Sequence, residues 1–248
     1  MSENKYDLSQ VEEQVVNENT PLFMIIYGKA GVAKSTVASM MGENVFFEDV
    51  EGTADKIQGI KRVSVDSFKD VAGWKNSIMK NDEYDTLVID GFKKLEMMLE
   101  DEVATVLGRK EFSDHKYGDT YLKKRYIAHK FLQSILGRGK NLIIICHESE
   151  VEMIDESTDE SYISIAPNIK DKELKVEIAG LADIVAHMEV HREEGKKIWK
   201  MDLTPYKGKV CKNRFDIEDP IKAESTKELV TELKTKIKDF YKKQGGVK

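Results

Sequence analysis

The sequence predicts an α/β fold with a mostly parallel sheet, and three observations predict it. Short apolar runs recur along the chain, and segments with helical spacing separate them. The first run also passes through a glycine-containing turn straight into a helix. Runs this short suit strands buried on both faces. Strands that alternate with helices favour parallel pairing through right-handed crossovers.

Residues 1–20 are polar and acidic, a terminal extension without the basic-then-apolar order of a signal peptide. Residues 22–27 form the first strand and 35–41 the helix after it. Residues 45–47 read as the second strand, 67–79 as a helix, and 86–89 as the third strand. Leu95, Met98, Leu99, Val103 and Leu107 keep a helical period, and then 108–119 turns polar and loops out. A helix over 121–136 precedes the fourth strand, 142–146. Residues 148–171, rich in Asp, Glu and Ser, read as a long loop. Loops of that length in a compact domain are functional or disordered. Residues 184–190 and 198–203 make a late hairpin across Glu194-Gly195, with Trp199, Met201 and Leu203 alternating. Leu229, Leu233, Ile237 and Phe240 give an amphipathic helix over 225–241, inside a C-terminal segment 223–248. With no internal repeat and no linker, residues 1–248 read as one domain.

Hydrophobic residues make up 40% and charged residues 34% of the 248. A sizeable core can therefore form under a charged surface, which excludes collagen-like, disulfide-rich and globally disordered chains. The net charge of -6 argues against a strongly basic nucleic-acid binder and leaves room for a local basic strip. Cys146 and Cys211 make neither a metal pattern nor a disulfide framework, so a reducing cytoplasm is expected. No apolar stretch approaches the roughly 20 residues of a membrane span, and no membrane partner is expected.

The segment Gly28-Lys29-Ala30-Gly31-Val32-Ala33-Lys34-Ser35-Thr36 joins the first strand to its helix. A glycine turn there points successive amides inward at phosphates. Lys34 then reaches the β- and γ-phosphates of ATP, and the Ser35 hydroxyl stands to ligate Mg²⁺. The pattern departs from G-x-x-x-x-G-K-[ST] at Ala33, where a methyl group is tolerable if φ is negative. The third strand ends in Asp90, the acid expected beside the Mg²⁺ shell. Glu48, Asp49 and Glu51 follow the second strand. Alternation puts Asp49 and Glu51 on one side, and Glu51 is favoured as the base for the attacking water. A solvated acidic turn is the competing reading. The fourth strand ends at His147, which either contacts the γ-phosphate or simply caps the strand.

With these residues in place, the chain resembles the RecA-like P-loop ATPases. It is most similar to phage-encoded, AAA-type nucleotide-binding proteins of the single-strand annealing and recombination kind. The resemblance runs from about Leu22 to Ile221 and keeps the order loop, Glu51, Asp90, His147. Tyr117-Gly118, the helix from Tyr121 and Gly139-Lys140 resemble the phage group. Lys212-Asn213-Arg214-Phe215 is similar to a Lys-x-Arg element that reaches a neighbouring subunit's nucleotide. An ordinary basic turn is the alternative there, and Asp216 stands where a glycine would follow. The resemblance implies ATP hydrolysis, Mg²⁺, a homo-oligomer as ring or filament, and work on single-stranded DNA in phage recombination. A single-strand binding protein or similar recombination partner is also implied. Arg109-Lys110 with Phe112, His115-Lys116-Tyr117 and Lys123-Lys124-Arg125-Tyr126 are the basic-aromatic clusters for single strands, although helical surfaces carry such clusters routinely. Two other classes compete: a nucleotide-switched loader or interaction module, and a small-molecule P-loop kinase. Such kinases carry an arginine-rich lid, whereas the mid-region here offers Arg109 and Arg125.

Overall fold

The structure, a computed structural model, describes residues 20–114, 118–136, 138–155, 157–206 and 208–245. The expected N-terminal extension up to residue 19, the cluster His115-Lys116-Tyr117 and residues 246–248 of the tail lie outside the described residues. In chain order the elements are β1 (Phe23–Gly28), α1 (Lys34–Ser39), β2 (Val45–Asp49), β3 (Lys61–Ser64) and α2 (Phe68–Met79). Next come β4 (Thr86–Asp90), α3 (Phe92–Val106), α4 (Asp119–Gln133), β5 (Asn141–Asp155) and β6 (Glu160–Pro167). The chain closes with α5 (Lys172–Leu181), β7 (Ile184–Glu193), β8 (Lys196–Asp202), β9 (Lys212–Asn213), β10 (Ile221–Ala223) and α6 (Thr226–Gly245).

The strands lie in the order β10-β8-β7-β1-β5-β4-β2-β3, with β6 beside β5 and β9 beside β7. From β7 across to β3 all pairings are parallel. The joins to β6, β8, β9 and β10 are antiparallel. The fold is therefore α/β with a mostly parallel sheet, as the apolar runs predict. Side chains alternate across that sheet. Phe23, Ile25 and Tyr27 of β1 enter the layer under α2, α3, α4 and α5, while Met24 and Ile26 enter the layer under α1 and α6. Burying a side chain of this size contributes roughly 1.5–3 kcal/mol, so a strand apolar on both faces is anchored from two sides. The parallel register brings the C-terminal ends of β1, β2 and β4 and the middle of β5 to one edge, through Gly28↔His147, Asp90↔Ile145 and Asp49↔Asp90.

One expectation needs correction, and two elements are not expected at all. Residues 148–171 are not a loop: β5 continues past the core to Asp155 and returns as β6, paired from Glu148↔Pro167 to Asp155↔Glu160. Cross-strand contacts such as Val151↔Ser164 and Met153↔Tyr162 hold this ribbon, and its density of acidic residues hides the alternation. Lys61–Ser64 is an edge strand with largely exposed side chains, so no apolar run announces it. Lys172–Leu181 is a helix that the reading passes over; the Asp171 carboxylate accepts from the Glu173 and Leu174 amides, and Leu174 and Ile178 are buried.

Candidate nucleotide-binding site

Gly28 ends β1 where only a residue without Cβ fits, because a Cβ would stand 2.2 Å from the Met188 carbonyl oxygen of β7. The turn that follows is pinned by Val32, which packs into the layer under α1 and α6. Ala33 has φ 71° and ψ 31°, in the left-handed region, against the negative φ that would make its methyl group easy to accept. An L-residue in that region carries a cost of roughly 1–2 kcal/mol. Ala33 has no side-chain donor or acceptor to cap the first turn of α1, so those amides stay available to another acceptor.

Lys34 is buried and curls back, donating from Nζ to the carbonyls of Gly28 at 3.0 Å and Lys29 at 2.8 Å. Burial lowers its pKa, and the charges of Asp90 and Glu51 oppose that shift. Ser35 Oγ donates to Asp90 Oδ2 at 2.6 Å. The Asp90 carboxyl is raised above the ordinary range, first by burial and then against the Ser35 hydrogen bond by the nearby Glu51 and Asp49 charges. A hydroxyl oxygen and a crowded carboxylate at that separation are hard oxygen donors suited to Mg²⁺, which would relieve the crowding of negative charge.

Opposite the turn, Glu51 Oε2 lies 3.2 Å from His147 Nε2. The Val50 and Glu51 amides both donate to the Asp90 carbonyl, which fastens this corner to the end of β4. Gly91, with φ 113°, lets Glu51 pass, since a Cβ there would meet Glu51 Cγ at 2.3 Å. The other two carboxylates of the acidic turn do different work. Asp49 is buried and accepts from the Gly52, Thr53 and Ala54 amides and from Arg62. It does not share a face with Glu51 in the cavity: its oxygens are consumed inside the turn. Glu48 points into the opposite layer, beside Lys75, and is buried with neither carboxylate oxygen hydrogen-bonded among the described residues.

Lys34, Ser35, Glu51, Asp90 and His147 all line one cavity of about 430 Å³, together with Ala30, Gly31, Ala33 and Thr36 of the turn. Gly28, Lys29 and Val32 support the turn and do not line it. Thr53, Ile57 and Cys146 also border the cavity. Thr53 and Ile57 carry no sequence signal of their own, and Cys146 could be placed only by its position before His147.

Lys212 and Arg214 are not brought to this cavity. They sit where β9 pairs with the start of β7, at the opposite end of the sheet from the turn. Lys212 Nζ donates to the carbonyls of Ala179 and Gly180 at the end of α5, and Arg214 pairs with Asp183 at 3.1 Å. The basic-aromatic clusters are also thinned. Arg109 pairs with Asp119, Lys124 is wholly buried between Glu96 and Glu100, and Arg125 is held by Asp171 and Glu173.

Among the described residues no helix is long and apolar enough to cross a membrane. Comparison with solved structures finds a KaiC-like protein of the hyperthermophilic archaeon Pyrococcus horikoshii OT3 at 13% identity, covering 84% of this chain and 93% of that one, TM-score 0.44. It also finds the flagellar accessory protein FlaH of Methanocaldococcus jannaschii at 12% identity, covering 76% of this chain and 80% of that one, TM-score 0.42. No curated protein matches. A family profile described as an AAA domain matches residues 20–215, from just before β1 to just past the Lys212-Arg214 element. This chain belongs to that AAA domain family.

Proposed function

We propose that this protein binds MgATP at the Gly28–Thr36 turn and hydrolyses the γ-phosphate. One observation carries the reading: Lys34, the Ser35–Asp90 pair and the Glu51–His147 pair converge on a single cavity. Loop amides hold the phosphates, and Lys34 Nζ exchanges two backbone carbonyls for phosphate oxygens. Ser35 and Asp90 would hold Mg²⁺, which would supply charge neutralisation at the triphosphate. Glu51 takes the proton of the attacking water as the bond to the β–γ bridging oxygen breaks, and ADP leaves. His147 orients Glu51.

Lys212 and Arg214 serve turnover only from a neighbouring subunit, since their own chain keeps them far from its cavity. Action on single-stranded DNA in phage recombination rests on the resemblance, with the exposed Lys110 and with Lys123 and Lys130 beside the Tyr126 ring as the remaining cations. A nucleotide-switched interaction module is the second reading. The acidic ribbon favours it, because β5 leads directly from His147 into that ribbon. The experiment is phosphate release measured with and without single-stranded DNA, for the native chain and for Lys34→Ala. DNA-stimulated turnover that Lys34→Ala abolishes supports the first reading; slow turnover indifferent to DNA supports the second. Unchanged turnover in folded Lys34→Ala overturns both.

A further inference from the structure

The ribbon and helix α4 carry complementary stripes on one chain. On one face of the ribbon, Glu150, Glu152 and Ile154 follow one another along β5. Their partners across the ladder are Ile165, Ile163 and Ser161. Ile154 is 63% exposed and Ile163 58%. Glu150 and Glu152 are exposed, and among the described residues neither has a cationic partner. An isolated two-stranded ribbon gains little from leaving such isoleucines in water.

On α4, Leu122 and Tyr126 are one turn apart and 65% and 57% exposed. Lys123 and Lys130 flank them, each with its ammonium within 6 Å of the Tyr126 ring centroid, at 5.5 and 5.9 Å. The result is an apolar strip edged by two cations, against a ribbon with an apolar strip edged by two carboxylates. Both lie exposed, so they do not satisfy each other within the chain. The charge that α4 presents comes from Lys123 and Lys130 alone, because Lys124 and Arg125 are spent on carboxylates of their own chain.

We propose that the ribbon of one copy docks on the α4 stripe of a second copy, with Glu150 and Glu152 facing Lys123 and Lys130 and the isoleucines covering Leu122 and Tyr126. Two different patches meet, so the contact is heterologous and repeats from copy to copy. Opposed charges bring register and speed to the encounter, and the covered apolar strip holds it. The assembly weakens as salt rises. Nothing in the contact depends on nucleotide chemistry.

The test is molar mass by light scattering across protein concentration, at low and high salt, on the full chain. The native protein assembles at low salt. The charge-reversed variants Glu150→Lys/Glu152→Lys and Lys123→Glu/Lys130→Glu each assemble more than about tenfold more weakly. Circular dichroism of both stays native, since Glu150, Glu152 and Lys130 are exposed and Lys123 is only half-buried. Mixing the two variants restores assembly, because a basic ribbon then meets an acidic α4 and an acidic ribbon meets a basic one. A native chain that stays monomeric, variants that assemble unchanged, or a mixture that stays dispersed overturns the proposal. So does a Lys123→Glu/Lys130→Glu variant that loses single-stranded DNA binding while keeping native mass, which assigns the stripe to nucleic acid.

Discussion

His147 Nε2 and Glu51 Oε2 stand 3.2 Å apart where both line the cavity, joining the turn after β2 to the middle of β5, a strand that is not its neighbour in the sheet. The contact ties the group placed to act on water to the strand that leaves the core as the ribbon. Glu51→Gln keeps the shape and removes the proposed base, so the proposed turnover falls by about 10²–10⁴-fold while nucleotide binding survives. His147→Ala lowers turnover less, since the carboxylate remains. Phosphate release alongside the affinity for a fluorescent nucleotide separates the two.

Ala33→Gly stabilises the fold. The left-handed backbone costs an alanine roughly 1–2 kcal/mol, while the glycine gives back about 0.4–1 kcal/mol through its freer unfolded chain. The net gain is about 0.5–1 kcal/mol, read as a rise in the urea midpoint with an unchanged slope.

Glu48 carries a pH dependence. Burial pushes its carboxyl well above the ordinary range, with Lys75 only partly offsetting that. The folded state thus holds a proton that the unfolded state has already released, and stability falls as pH rises from the ordinary glutamate value through the raised one. Glu48→Met removes this slope and stabilises the protein at neutral pH by about 1–3 kcal/mol, the cost of a buried polar group left without hydrogen bonds. Urea unfolding of both chains from acid to neutral pH checks it: the two curves meet in acid and diverge above.

Lys124→Met has the opposite effect. It leaves Glu96 and Glu100 facing each other inside the core, with hydrogen bonds of 2.9 and 3.0 Å lost. Removing one member of a buried ionic cluster costs about 3–5 kcal/mol, measured by the same unfolding experiment.

Arg214→Ala tests the proposed action in trans: if this cation serves the next subunit's phosphate, turnover in assembled protein falls. Mixing it with Glu51→Gln regenerates sites having Glu51 from one chain and Arg214 from the other. Phosphate release from the mixture then exceeds that of either variant alone; a purely additive result rejects action in trans.

Much of the architecture can be read from residue order. Apolar runs without alternation mark strands covered on both faces, and the glycine turn before Lys34 places the first crossover. The acids are harder to sort. Glu48, Asp49 and Glu51 look equivalent in sequence, but the β4 corner and the absent Cβ of Gly91 leave cavity access to Glu51 alone. Backbone sign at Ala33 was equally hidden, because alanine is compatible with most conformations and announces none. Lys61–Ser64 and the ribbon escape notice for one shared reason: strands exposed at an edge carry charged side chains and lose the apolar signature.

Strand β5 is 15 residues long. At about 3.3 Å per residue it spans roughly 50 Å. His147 sits part-way along it, and Tyr27 clamps the return strand near its root by donating to the Ile165 carbonyl at 3.1 Å. Its outward part is paired to β6 from Glu148 to Asp155, so His147 and the far tip of the ribbon belong to one continuous hydrogen-bonded strand.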